Sequence, residues 1–335
     1  MRRREFIGLI GATALSFPRP GNAQTNAAVP VVGVLMPFKQ DTEPTRERIA
    51  AIRKGLQEAG FIEGTNYSLG MRFADGDLDR VPSLAKELGA LNPRVIIVAA
   101  YGPRTVHTLL PKIPLVFTAI AIDPIKAGFA DSYVRPGGML TGNVMNAVGG
   151  EEAITQKRIG FFKELVPDLT RLGMIAPEGP VRVMALQEKH ALQKVSTQFG
   201  FEFMHYGLDT LDDLKGAFAS GVAANVSAFY ISGEPLLAAN MSRVVSFVAA
   251  SGKPSVGTYP DWGRSGLLMS YSADPVDGYR RAGAYAAKIL NGTKPGDLPI
   301  EQASKFVLVI NQKTAKALSI AVPPTLLALA DEVIE

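Results

Sequence analysis

The chain has no cysteine. That excludes disulfide staples, thiol catalysis and thiolate-bound zinc. Tryptophan occurs once, at Trp262, and the only histidines are His107, His190 and His205. None of them has a second histidine at helical metal spacing, so the spacing supports no resident metal. Asp75, Asp77 and Asp79 begin like a calcium loop. Arg80 stands where that loop needs glycine and Lys86 where it needs glutamate, so a solvated turn and helix cap are expected. No G-x-G-x-x-G, G-x-S-x-G or G-x-x-x-x-G-K-[ST] pattern occurs. A dinucleotide enzyme, an elbow-type serine hydrolase and a P-loop ATPase are therefore unsupported, and no cofactor is expected. Long apolar runs are also missing. The one at Ile7 to Phe17 is too short for a bilayer, which takes ~20 residues.

That short run has informative flanks. Arg2, Arg3 and Arg4 precede it, and Gly21-Asn22-Ala23 follow with small residues where a signal peptidase reads. Charged head, greasy core and small-residue site predict a cleaved export signal over residues 1–23 and a periplasmic protein starting near Gln24. Arg3-Arg4-Glu5-Phe6 resembles a twin-arginine signal, with the general secretory route still open. The signal segment holds four arginines and one glutamate, so most of the chain's formal +4 sits there. The remainder is close to neutral and has no nucleic-acid footprint. About 310 residues favours two lobes over one core.

Short β-rich runs alternate with helical patterns, as in a parallel sheet with crossover helices. Val31–Met36 is continuously apolar, as a strand buried on both faces should be. A helix over 43–59 ends at Gly60. Strands follow at Tyr67–Phe73, Val95–Ala99 and Pro114–Thr118, with helices over 78–91, up to Leu110, and after Asp123-Pro124. The pattern then restarts. Helices are expected near 151–165, 181–199, 211–220, 235–251 and 275–291. Strands are expected at Arg171–Ala176, Glu202–Tyr206, Val226–Ile231, Pro254–Gly257, Leu267–Tyr271 and Phe306–Ile310, with two short helices closing the chain. The fold class is α/β, with two doubly wound parallel-sheet lobes joined by hinge strands. The division expected is 30–143 plus about 262–298 for one lobe, and 144–261 plus about 299–335 for the other. Gly142–Gly150, rich in Gly and Asn, marks the first boundary.

Three stretches carry a resemblance: Gly60–Leu88, Ile113–Gly142 and Gly266–Leu318. Together they resemble the substrate-binding proteins of ABC importers, in the same order and over nearly the whole chain after residue 23. The resemblance implies a type I periplasmic-binding fold with a ligand held in the interlobe cleft. It also implies a permease with its ATPase as partner, and no chemistry. Ile120-Ala121-Ile122 and Tyr101 depart from the usual pattern at the expected cleft.

Ligands of open α/β sheets bind beyond the carboxyl ends of the strands. That rule nominates the loops 37–40, 100–105, 119–123, 177–180, 232–235 and 259–262. Within them, Phe38, Tyr101, Gly102, Thr105, Thr118, Ile120, Asp123, Glu234, Tyr259 and Trp262 are the candidates, with Asn143 and Asn146 at the first hinge. The start of the helix at Gly102 suits a carboxylate and the Tyr101 ring an apolar face. An ordinary turn with proline at the helix start reads equally well. Asp123 is a ligand contact or a helix cap. Glu234 pairs with an amine or favours the helix dipole. Trp262 is a cleft wall or a packing residue. The expected function is capture of a small organic ligand, an amino acid or an aromatic or apolar carboxylate, by a monomer that closes over it. A ligand sensor for a membrane receptor and a secreted enzyme using His107 with Asp123 are the competing readings.

Overall fold

The computed structural model describes residues 29–145 and 150–335. The expected export signal and Asn146 lie outside them. The first run of elements is β1 (Val31–Met36), α1 (Glu43–Gln57), β2 (Ser68–Phe73), α2 (Val81–Ala90), β3 (Val95–Ala99), α3 (Gly102–Leu109), β4 (Leu115–Ile120) and β5 (Leu140–Val144). The second is α4 (Gly150–Leu165), β6 (Arg171–Pro177), α5 (Val183–Phe199), β7 (Glu202–Leu208), α6 (Leu214–Ala223), β8 (Ala228–Ile231), α7 (Pro235–Ala238), α8 (Met241–Ser251), β9 (Ser255–Gly257), α9 (Pro260–Ser265) and β10 (Met269–Ala273). The third is α10 (Pro275–Leu290), β11 (Glu301–Gln302), β12 (Phe306–Asn311), α11 (Gln312–Ala317), α12 (Pro324–Leu329) and β13 (Glu332–Ile334).

Two sheets result. One has the order β11-β5-β4-β3-β1-β2, parallel throughout. The other has the order β13-β12-β10-β9-β8-β6-β7, parallel except where β10 meets β12. Each sheet carries helices on both faces, which is why its central strands are apolar without alternation. In lobe 1 one face is covered by α1 and α10 through Ile52, Leu56, Tyr279 and Ala286, the other by α2 and α3 through Leu84, Leu88 and Val106. Lobe 2 repeats the arrangement with α4 and α5 on one face and α6, α8 and α9 on the other.

The chain passes between the sheets after Met145, at Ala273–Pro275, and between Gln302 and Phe306. The second and third passages differ from expectation. Residues 262–273 form part of α9 and all of β10, which sit in the second sheet, so the return to lobe 1 comes at Asp274 and not near 262. Asp274 marks it physically: its carboxylate accepts from the N–H groups of Val276 and Asp277 and opens α10. The third passage falls after β11, which pairs with β5, instead of near 298. The helix expected after Asp123-Pro124 is a set of turns, closed by Phe129 N–H to Pro124 C=O at 2.8 Å. The expected 235–251 helix breaks at Ala239–Asn240 into α7 and α8.

One contact fixes lobe 1. Helices α1 and α10 touch backbone to backbone through two glycines. A Cβ on Gly55 would lie 1.9 Å from the Arg280 carbonyl oxygen, and one on Gly283 would lie 2.2 Å from that of Ile52.

Candidate functional site

Lobe 1 brings to the cleft the loops after β3 and β4. Strained backbone stands at the first loop's start and at the end of the strand before the second. Ala100, just after β3, and Ala119, within the end of β4, hold φ of 54° and 53°, the left-handed region that alanine rarely adopts. The register between β4 and β5 shifts between Phe117 and Ile120. These irregularities aim Tyr101 and Ala121 at lobe 2, where both pack against the cluster containing Met184, Tyr259 and Trp262.

Tyr101 crosses the cleft. Its hydroxyl donates to Glu234 Oε1 at 2.5 Å and accepts the Met184 N–H at 2.9 Å. The same Glu234 oxygen accepts the Ala185 N–H at 2.9 Å. The orphan donors at the start of α5 are thus satisfied by a carboxylate of their own lobe and a phenol of the other. Glu234 is wholly buried, its Oε2 has no hydrogen-bond partner, and Arg182 stands 4.0 Å away. Burial raises its pKa, opposed by the Tyr101 hydroxyl, the Ala185 N–H and Arg182.

Beside this contact lies a small chamber of about 20 Å³, room for about one water. Ala121 and Met145 wall it from lobe 1. Ile154, Met184 and Tyr259 supply apolar surface from lobe 2, and Glu151, Arg158, Glu188 and Thr258 supply polar groups. Arg158 is held from three sides. Its Nε donates to Tyr271 C=O at 2.7 Å, and its Nη1 donates to Tyr230 Oη at 2.6 Å and Glu151 Oε1 at 3.3 Å. Glu188 accepts from the Ser232 hydroxyl and, at 3.0 Å, from the Gly233 N–H. Its pKa rises to about 8, first through burial and then through the charge of Glu151; Ser232, Arg158 and Gly233 pull the other way. Thr258 Oγ1 is buried without a partner. Outside the chamber, sharing Ala121 and Glu151 with it, opens a vestibule of about 830 Å³ that also takes in Asp123, Lys126, Gln187 and Lys194.

Further ties close the lobes on the flank beside α1. Arg48 of α1 and Asp261 of α9 form a buried ion pair, and Arg48 lies 4.6 Å over the Phe38 ring. Arg264 reaches Glu47 at 3.4 Å, and Lys39 donates to Asn240 at 2.9 Å.

The sequence-nominated residues therefore divide. Tyr101, Glu234 and Tyr259 meet at the chamber's edge or wall. Phe38 serves the Arg48–Asp261 pair. Thr105 is half-buried in the first turn of α3. The remaining candidates hold the scaffold. Thr118 donates to Asn143, whose amide donates to Gly278 C=O at 2.9 Å, tying β4 and β5 to α10. Gly102 is glycine because a Cβ would meet Val98 at 2.4 Å. Ile120 lies in the lobe 1 core. Asp123 accepts from Ile125 N–H at 2.8 Å, the cap reading, while also lining the vestibule. Trp262 is a correction: it is fully buried, and a Cβ on Gly257 would lie 2.6 Å from its own, so it packs on β9 and walls no cleft. Asp77 caps the turn after it, as expected.

Sequence reasoning missed Glu151, Arg158, Glu188 and the Arg48–Asp261 pair. A signal was present. Arg158 shares the buried face of α4 with Ile154, Ile159 and Phe162, and Glu188 shares that of α5 with Met184, Ala185 and Leu192. A charge inside an apolar stripe marks a buried ionic group.

A family model described as "ABC transporter substrate binding protein" matches residues 32–334. The chain belongs to that family. Its relatives include a tyrosine-binding protein of Clostridioides difficile (strain R20291), 24% identical over 267 residues, covering 79% of this chain and 74% of the relative. Among solved structures, an ABC domain from Streptococcus pneumonia in complex with L-Trp has a TM-score of 0.80 at 22% identity, over 92% of this chain and 100% of the other. A substrate-binding protein of Clostridium difficile in its ligand-free, open form has a TM-score of 0.65 at 20% identity, over 91% of this chain and 99% of the other. The fold is that of type I periplasmic-binding proteins. As a substrate-binding protein of an ABC transporter, the chain takes a small organic molecule as ligand and a transporter as partner. No helix among the described residues is long and apolar enough to cross a membrane.

Proposed function

We propose that this substrate-binding protein captures an amino acid with an apolar or aromatic side chain between its lobes and presents it, as a closed monomer, to an ABC permease. The observation that carries the reading is the interlobe chamber, which sets buried ionic groups on an apolar wall. Met145, Ile154, Met184 and Tyr259 suit an apolar body, and Glu188 and Thr258 suit a charged end. The tyrosine-binding relative and the L-Trp-bound structure support the same ligand class. The chamber is too small for such a ligand as it stands, so entry requires the lobes to part and binding draws them closed. Residues 1–23 would direct the protein to the periplasm, where such a ligand is met.

A thermal-shift panel tests this. A ligand at 100 times its Kd stabilises a fold by ~2.7 kcal/mol. Tryptophan, tyrosine, phenylalanine or leucine is expected to raise Tm, with sugars and nucleosides silent. A shift from sugars alone overturns the assignment.

A further inference from the structure

We propose that Glu188 trades a proton for the ligand's ammonium group, so that the chamber recognises an amine with an apolar body and does not require the carboxylate. The inference rests on the chamber being the ligand site.

The charges lining the chamber do not balance. The chamber's ionic groups are Glu151, Arg158 and Glu188. Arg158 already bonds Glu151 and three neutral oxygens, those of Tyr230, Tyr271 and Thr155. Glu188 is left with neutral donors only. From the loop after β8 it meets Ser232 and Gly233; Tyr230 of β8 and Tyr259 after β9 bring phenols; α4 brings Glu151 and the committed Arg158. The next carboxylate, Glu234, stands two residues beyond Ser232. A buried carboxylate without a cation takes a proton. The burial-raised pKa of Glu188, to about 8, agrees with that imbalance.

An incoming ammonium changes the balance. The Glu188 O–H bond breaks, the proton passes to solvent, and the carboxylate pairs with the ligand's NH3+ group. Thr258 Oγ1, buried and unpartnered on the same wall, offers that ammonium a second acceptor. A ligand carboxylate finds one cation on the chamber's described lining, Arg158, whose Nε and Nη1 are already bonded and whose charge already faces Glu151.

Calorimetric titration of the protein at pH 7 with L-tryptophan, tryptamine and indole-3-propionate, in two buffers of different ionisation enthalpy, decides the matter. Tryptophan and tryptamine are expected to bind within about tenfold of each other and release close to one proton each, with indole-3-propionate at least about a hundredfold weaker. E188Q should lose the proton release and at least about tenfold in affinity for both amines; the wild-type buffer comparison stands even where that variant folds poorly. Binding by both amines with no proton released overturns this proposal and leaves the proposed function standing, as does equally tight binding of indole-3-propionate. Binding of none of the three by folded protein overturns both.

Discussion

At the scale of single residues, two charges inside apolar helix stripes dominate the site. Glu188 makes stability depend on pH. Its pKa is near the ordinary 4.5 when unfolded and about 8 when folded, so the folded state binds the extra proton between those values. Its contribution is fully present below about pH 4.5 and lost as pH rises through 8, at up to ~1.4 kcal/mol per pH unit. Urea titrations of ligand-free protein from pH 5 to 9 should show that loss in the wild type and a flatter profile in E188Q; parallel profiles would refute the assignment. Tyr101, Tyr259 and Glu234 were legible because they follow strand ends, where the fold rule looks. Glu188 and Arg158 were not, because that rule nominates loops, and these two reach the cleft from helix stripes normally given to core.

Among the elements, the sharpest constraint is the meeting of α1 and α10. Gly283→Ala puts a methyl group against the Ile52 carbonyl, backbone that has no rotamer to escape into. The expected cost is about 1–3 kcal/mol, read as a lowered denaturant midpoint with unchanged slope. Gly216→Ala, where the added Cβ meets nothing within 4 Å, should be neutral or slightly stabilising in its helix. Most elements could be read from apolar runs and helical periods, because both lobes are built from locally consistent segments. Sheet membership could not. β10 carries an ordinary apolar strand pattern, and β11 is only two residues long. Nothing local tells either strand which sheet to join; that is settled by packing against α9 and β5.

For the molecule as a whole, the closed arrangement rests on contacts that opening would hand back to water. Arg48→Met leaves Asp261 with only Arg264 at 3.4 Å. Removing one partner of a buried pair costs ~3–5 kcal/mol, here at the low end because of that second arginine. The loss falls on closure, since the open form rehydrates Asp261. Small-angle scattering should give R48M a larger radius of gyration without ligand, and ligand Kd should rise at least about tenfold, while the thermal midpoint moves little. A large drop in midpoint with unchanged radius would mean the pair holds the fold instead. Tyr101→Phe strips a donor from Glu234 and an acceptor from the Met184 N–H, ~1–3 kcal/mol for each group left unsatisfied. Its effect should run in the same direction on the same two readouts.

The three passages between the sheets also bear on how the chain comes to be folded. Glu58 pairs with Arg280, 222 residues later, and among the described residues α10 is the helix that α1 packs against most extensively. On the ribosome, lobe 1 cannot finish until lobe 2 has almost wholly emerged, since α10 and β11 follow β10 in the chain. The N-terminal portion must wait with its apolar face uncovered, and a chain stopped before Pro275 would leave both lobes incomplete. Completion of the two sheets therefore comes late in synthesis, and a chain stopped at any of the three passages lacks at least one strand of a sheet.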